Sequence, residues 1–425
     1  MNALLTIFWG IVVLLVLVFI HELGHFIAAR CFKVRVTEFM IGMPGPNISF
    51  EHNGCRYGIT CIPLGGYNRI TGMEGGIENP NLSKVLEYVY KQGKVDTEHT
   101  ALACDLSEED ALEALIILDG WGSIKKEKQK SSQDIYLAPK TQEFELGQAR
   151  IVEDSKALLD SERKQTYRGL NFWRRLVVLF AGPLTNIIAA LLIFVILFSC
   201  IGITYATNTV DYVTDGSPAA QYLQHGDVIT KANGQEISSS QDLATVLSSL
   251  KEDEDVTLTV QRNGEEKQFT MTPKKDENGS YKLGFYAMAD KYKLSVGQSI
   301  KVSWTLTVET VKSYAQLFNP LTMADTVSES SSVVGISVMA KQAADAGAFN
   351  LFYLLAVISL SLGVVNLVPV PPLDGGRILI EVIQVIARRE ISAKVVNAIS
   401  YIVIILLLLL FVVLLRQDII NFILK

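Results

Sequence analysis

Three ionisable side chains sit together inside an apolar run: His21, Glu22 and His25, in the tract His21-Glu22-Leu23-Gly24-His25. An ionisable group at depth in a membrane helix costs about 2.5–3.5 kcal/mol or more, so such a residue is a functional-site candidate by default. Here three are clustered. Residues four apart on a helix project from one face, so both imidazoles can share a metal ion. Glu22 can reach a water on that metal without being a ligand itself. A zinc ion so held lowers the pKa of bound water toward ~7, and a neighbouring carboxylate can then take its proton. Gly24 leaves space beside the ligands. Zinc of this kind needs a third protein ligand and an open position. The candidate is Asp374, in Asn366-Leu-Val-Pro-Val-Pro-Pro-Leu-Asp374-Gly-Gly376. Pro369, Pro371 and Pro372 cannot continue a helix and disfavour helical geometry in the residues before them. A helix ending near Asn366 and running on as extended chain is expected, and such backbone is tolerated at membrane depth where it lines a cavity. Spacing alone leaves open an ordinary proline turn that happens to contain Asp374. A metal transporter is the other reading of buried ligands, but transporters pair broken helices in internal repeats, and the sequence shows no such repeat.

The elements that must carry these residues follow from hydropathy. Of the 425 residues, 49% are hydrophobic, and they cluster in four blocks at about 4–29, 176–201, 349–367 and 395–415. Each approaches the ~20 residues a helix needs to span ~30 Å of hydrocarbon. The first block lacks a basic leader and a small-residue cleavage site, so it is expected to be retained as a membrane helix rather than removed as a signal peptide. Arg30, Lys33 and Arg35 follow the first block, Arg163, Lys164, Arg168, Arg174 and Arg175 precede the second, and Arg377, Arg388, Arg389 and Lys394 separate the third from the fourth. The positive-inside rule therefore puts 30–175 and 377–394 in the cytosol, with both termini and 202–348 outside. A formal net charge of −6 gives no reason to expect nucleic-acid binding. Four of the five cysteines (Cys31, Cys55, Cys61 and Cys104, but not Cys200) fall on the expected cytosolic side with no Cys-x-x-Cys spacing. They suggest neither a disulfide framework nor a cysteine zinc site.

The remaining chain divides by texture. Alternating runs at 47–51 and 57–62 flank Asn53-Gly54, a hairpin signal. Residues 79–166 are charged, mixed in sign and amphipathic at 82–90 and 108–118, which predicts a small helical cytosolic insertion. Beyond the second block, Ser217-Pro218 reads as a helix start, 227–232 as a strand leading to Asn233-Gly234, 240–250 as a helix, and 256–260 and 267–272 as strands joined through Asn263-Gly264. That order resembles a PDZ domain of the kind found in bacterial proteases. The predicted architecture is a multi-pass α-helical membrane protein with four transmembrane segments, a membrane-associated β-hairpin region and an inserted α+β PDZ-like domain. Its divisions are 1–78, 79–166, 167–206, 207–290, 291–348 and 349–425.

His-Glu-Leu-Gly-His-Phe from His21, Ile62-Pro-Leu-Gly-Gly-Tyr67, Ala181-Gly-Pro-Leu-Thr-Asn186 and the Asn366–Gly376 tract together resemble the site-2 protease family. The PDZ-like unit between them points to its bacterial regulator-of-sigma-E protease branch. The motifs recur in the family's order and cover most of the chain outside 79–166. The resemblance implies an intramembrane zinc metalloprotease with ligands His21, His25 and Asp374 and general base Glu22. It further implies substrate-side roles for Asn366, Asn186, Gly65 and Gly66. Substrates would be single-pass transmembrane proteins, such as anti-sigma factors or signal-peptide remnants, first shortened outside by a site-1 protease. The membrane implied is the bacterial cytoplasmic membrane. Two features depart from the family pattern: Ser331-Ser332-Val333-Val334-Gly335 stands where Ser-Gly-Pro is usual, and the 79–166 insertion is longer than the corresponding loop. A silent PDZ-bearing membrane adaptor is the reading from a different class, and the intact set His21, Glu22, His25 and Asp374 argues against it.

Overall fold

The leading apolar run folds as helix α1 (Ala3–Cys31), which carries His21, Glu22 and His25 in its C-terminal half. The structure is a computed structural model describing residues 2–63, 65–73, 79–127, 134–141, 143–251, 254–276, 280–316, 319, 321–322, 330–389, 391 and 393–422. Leu64 of the Ile62–Tyr67 motif thus lies outside the described residues. The chain divides into two compact units, Met1–Phe194 with Val302–Lys425, and Val195–Lys301.

In the first unit, α1 leads into a sheet of β1 (Val36–Ile41), β2 (Asn47–His52), β3 (Cys55–Thr60) and β4 (Gly66–Ile70), in the order β2-β3-β1-β4. Asn53 and Gly54 close the β2–β3 turn with φ of 48° and 72°, the two positive angles that a two-residue hairpin turn requires. β1 runs parallel to β3 and antiparallel to β4, pairing Phe39 with Asn68. The sheet is sealed to the helices by a core of Ala29, Val36, Phe39 and Ile70 with Val178 and Leu179. Those last two belong to α6 (Phe172–Ile196), in which Pro183 leaves no amide for the carbonyl of Leu179.

Between sheet and α6 lies the insertion, with α2 (Leu82–Gln92), β5 (Lys94–Asp96), α3 (Thr97–Cys104), α4 (Glu108–Gly120), β6 (Lys125–Glu127), β7 (Ile135–Leu137) and α5 (Ser155–Arg163). It is not purely helical as its amphipathic stretches suggest. A small sheet in the order β5-β7-β6 completes it. Strands of three residues are too short to show alternation, yet β7 delivers Tyr136 into a core with Val85, Leu86, Val89, Leu115 and Leu118. Arg35 fastens the insertion to the sheet, donating to the carbonyl of Trp121 (2.9 Å) and to Glu162 (3.1 Å).

The second unit is built on β8 (Ile203–Val213), β9 (Val228–Ala232), β10 (Gln235–Glu236), α7 (Ser240–Ser248), β11 (Val256–Arg262), β12 (Glu265–Met271), β13 (Lys274–Lys275), β14 (Tyr281–Lys282) and β15 (Phe285–Tyr292). Its main sheet runs β12-β11-β9-β8-β15, with β10 on β9. A capping box between Ser239 and Asp242 starts α7, which packs Leu243, Val246 and Leu247 on Ile229 and Leu258. Ser217-Pro218 begins only a short 3-10 turn, Pro218–Gln221, rather than an α-helix. Asp227 is fully buried, and Arg262 donates to both its oxygens at 2.7 Å.

The chain continues through α8 (Val296–Gln316), α9 (Val333–Asp345), α10 (Ala348–Asn366), α11 (Asp374–Ala387) and α12 (Ala393–Phe422). α9 packs Ala340 against Val13 and Leu17 of α1. Asp418 on α12 caps α9 from the side, accepting from the amides of Ser332 (2.7 Å) and Gly335 (3.0 Å). Where extended chain is expected after Asn366, the proline tract instead folds into tight turns. The amide of Val370 donates to Val368 and that of Leu373 to Val370, and the helix resumes at Asp374. Among the described residues, four helices are long and apolar enough to cross a membrane: Ala3–Cys31, Phe172–Ile201, Ala348–Asn366 and Val395–Ile420.

Candidate metal centre

The proline turns return the chain so that the first residue of α11 faces α1. Asp374 Oδ2 lies 3.1 Å from His21 Nε2 and 3.2 Å from His25 Nε2, and the two imidazole nitrogens are 3.3 Å apart. The three atoms form a nearly equilateral triangle. Three ligands held about 2.0–2.1 Å from a tetrahedral zinc stand roughly 3.3–3.4 Å from one another, so the donor set and its spacing fit that ion. Gly375 and Gly376 make this return possible, because a Cβ on either would run into the backbone of Leu367 or of Val370 and Pro371.

The surroundings fix each ring. His25 Nδ1 lies 2.8 Å from the carbonyl of Val178, which accepts a hydrogen from that nitrogen and leaves Nε2 with a free lone pair. Gly182, one turn further along α6, lies flat against the same ring. His21 Nδ1 is buried with no hydrogen-bond partner among the described residues. Gly24 does more than leave space beside the ligands. It faces the carbonyl of Ala181 and the hydroxyl of Thr185, so α1 and α6 meet closely there.

Glu22 is one residue from His21, about 100° around the helix, and faces β4. Asn68 donates to both its main-chain carbonyl (2.6 Å) and its Oε2 (2.8 Å). Gly66 lies on the same face of β4, and a Cβ there would stand 3.1 Å from Glu22 Cγ. The structure thus brings His21, His25 and Asp374 together, with Glu22 and Gly66 alongside. Gly65 supports the strand instead: at φ +93° it accepts from the Gly42 amide through its carbonyl. The side chain of Asn366 turns back on its own helix, donating to the Leu362 carbonyl at 3.0 Å. Asn186 is fully buried, and neither polar atom of its side chain has a partner among the described residues. Its carbonyl accepts from Ser359 across to α10. Sequence reasoning did not single out Asn68, the Val178 carbonyl or Gly182. For Asn68 a signal was available, because a strand starting at Gly66 places residue 68 on the same face.

Peptidase family M50 matches residues 9–410 of this chain. The chain is 30% identical to the regulator of sigma-W protease RasP of Bacillus subtilis, over 91% of this chain and 92% of that one. It is equally identical to a Staphylococcus aureus protein named "Putative zinc metalloprotease SAS1196", over 93% of both chains. A PDZ domain of an SdrC-like protein from Listeria monocytogenes is similar at 28% identity, covering 20% of this chain and 92% of that one, with a TM-score of 0.19.

Proposed function

This chain belongs to peptidase family M50, the site-2 proteases, and from that premise we propose that His21, His25 and Asp374 hold its zinc while Glu22 is the base of hydrolysis. The protein is a zinc-dependent metalloprotease of intramembrane proteolysis. The observation that carries the residue assignment is the triangle of 3.1, 3.2 and 3.3 Å formed by the three ligand atoms, built from two helices some 350 positions apart in sequence.

Held by His21, His25 and Asp374, zinc would supply Lewis-acid polarisation of a scissile carbonyl and a bound water of lowered pKa. Glu22 takes the proton from the attacking water and returns it to the leaving amine. The Val178 carbonyl keeps His25 in the tautomer that ligates, and the α6 surface at Gly182 holds its plane. A substrate helix hides its amides in its own hydrogen bonds, so it must unwind before cleavage. Among the described residues β4 is paired on one side only, with β1, and its open edge beside Glu22 suits an unwound segment adding as a strand. Gly65 and Gly66 lie along that edge; a substrate-side role for Asn366 would need its side chain to leave the Leu362 carbonyl, and one for Asn186 would need its buried side chain to be uncovered.

The distribution of Lys and Arg supports a cytoplasmic-membrane protein with its active site toward the cytosol and both termini outside. The second unit, whose strand and helix order follows a PDZ-like pattern, then stands outside. There it acts as a size filter or binds the new C-terminus of a single-pass substrate already shortened by a site-1 protease. Anti-sigma factors and signal-peptide remnants have the required form. Replacing Glu22→Gln tests the assignment: cleavage of a single-span substrate stops while zinc stays bound. Persistent cleavage by the pure variant would overturn it.

A further inference from the structure

Asn68 is half-buried, with its Oδ1 enclosed, where strand β4 meets the membrane helix that bears the site. Both atoms within reach of its carboxamide on α1 are acceptors, the Glu22 carbonyl at 2.6 Å and Glu22 Oε2 at 2.8 Å. The NH2 group must therefore point there, and the amide cannot be flipped without setting oxygen against oxygen. One proton anchors Asn68 to the backbone of α1, and the other fixes the carboxylate of that same residue. The bond to the backbone holds whatever rotamer Glu22 adopts, so the second bond selects one rotamer out of several. Gly66, two residues earlier on the same face of β4, also stands close to the Glu22 stem. Both donor protons are thereby used, and Asn68 Oδ1 remains buried with no partner among the described residues. A strand residue serving only to pack against α1 would ordinarily be apolar, since a buried polar atom left unpaired is costly.

We propose that Asn68 is a positioning residue for peptide hydrolysis, holding the Glu22 carboxylate in its working orientation. This rests on the assignment of Glu22 as the base. Glu22 remains the group that moves the proton, and Asn68 acts through it.

The test uses the full-length enzyme in detergent and a single-span model substrate, with kcat, KM, zinc-to-protein ratio and thermal midpoint measured together. Asn68→Val introduces a β-branched strand former and removes the donors, while Asn68→Thr has Val's shape with one hydroxyl. Losing a hydrogen bond to a charged group is expected to lower kcat of Asn68→Val about tenfold to a hundredfold. KM should stay within about twofold, because holding the base contributes to the transition state more than to substrate binding. Zinc content is unchanged, and Asn68→Thr recovers part of the loss. An unchanged kcat in Asn68→Val overturns the proposal, as does a loss matched by loss of zinc or of fold, or an Asn68→Thr enzyme no better than Asn68→Val. Should Asn68→Val not accumulate, Asn68→Thr is read alone: a lowered kcat at unchanged KM and zinc supports the role, and a wild-type kcat refutes it. A Glu22→Gln enzyme that still cleaves would sink the underlying assignment instead, so the two failures are distinguishable.

Discussion

Replacing Gly182→Ala should unseat a metal ligand by adding one methyl group. On propensity alone alanine is the better helix residue by about 1 kcal/mol, so α6 itself gains. The added Cβ, however, would stand 2.6 Å from His25 Cδ2 and 2.8 Å from Cε1, with Nε2 nearer still. Carbon contacts are comfortable at about 3.5–4.0 Å, so ring or helix must retreat by about 1 Å. The ring has little freedom, being tethered at Nδ1 by the Val178 carbonyl on the same helix. Metal–ligand distances tolerate about ±0.2 Å, a fifth of that displacement. Zinc affinity is therefore expected to fall by at least the tenfold to hundredfold seen when a ligand's supporting shell is disturbed. The assay is zinc retention by the purified full-length protein across a series of buffered chelators, with thermal unfolding alongside to show that the fold persists. Wild-type affinity in a folded Gly182→Ala protein would refute the claim that His25 binds zinc in the orientation described.

In the second unit, Asp227→Ala removes both oxygens held by Arg262 at 2.7 Å and should cost about 3–5 kcal/mol, visible as a lowered thermal midpoint. Burial opposes the Asp227 charge, but the Arg262 fork and the Gln224 amide outweigh it and lower its pKa. Its contribution is thus full above the ordinary ~3.9 and lost as pH falls through the folded value. Circular dichroism at stepped pH should show acid loss in the native unit that the Asp227→Ala variant lacks, and equal acid sensitivity would count against the pair. In the first unit, Glu381 on α11 takes Arg175 at 2.9 Å and the Tyr167 hydroxyl at 3.3 Å. Glu381→Ala should lower stability in detergent by about 3 kcal/mol, since Arg175 is left without its counter-charge; a thermal midpoint unchanged from wild type would remove the pair from the account. Isothermal titration of the second unit with C-terminal peptides separates its two candidate roles: heat of binding favours capture of a new C-terminus, and none leaves the size filter.

Local chemistry made much of this legible from sequence. Asn53-Gly54, Asn233-Gly234 and Asn263-Gly264 each mark a turn where the structure bends with positive φ, because few residue pairs tolerate that backbone. The four-residue spacing of His21 and His25 fixes their common face, and the prolines from Pro369 onward stop α10 at Asn366. What the prolines could not reveal was direction: they predict an extended tract, whereas close packing at Gly375 and Gly376 folds it into turns. The sheet of the insertion was hidden because β5 and β7 are three residues long and some 40 positions apart. Asn68 escaped notice for a related reason. Its partner Glu22 lies 46 positions away, and only the pairing of β4 with β1 brings them together. Asp418 reads as a polar end to an apolar helix, and its role as a cap for α9 appears only once Ser332 and Gly335 are beside it.

The most direct test of the account is X-ray absorption at the zinc edge of the purified protein, compared with its Asp374→Asn and His25→Ala variants. Ligation by His21, His25 and Asp374 predicts a shell of nitrogen and oxygen only, at about 2.0–2.1 Å, with imidazole scattering from two rings that falls to one in His25→Ala. A sulfur shell at about 2.3 Å, or a spectrum unchanged when His25 is removed, would contradict it.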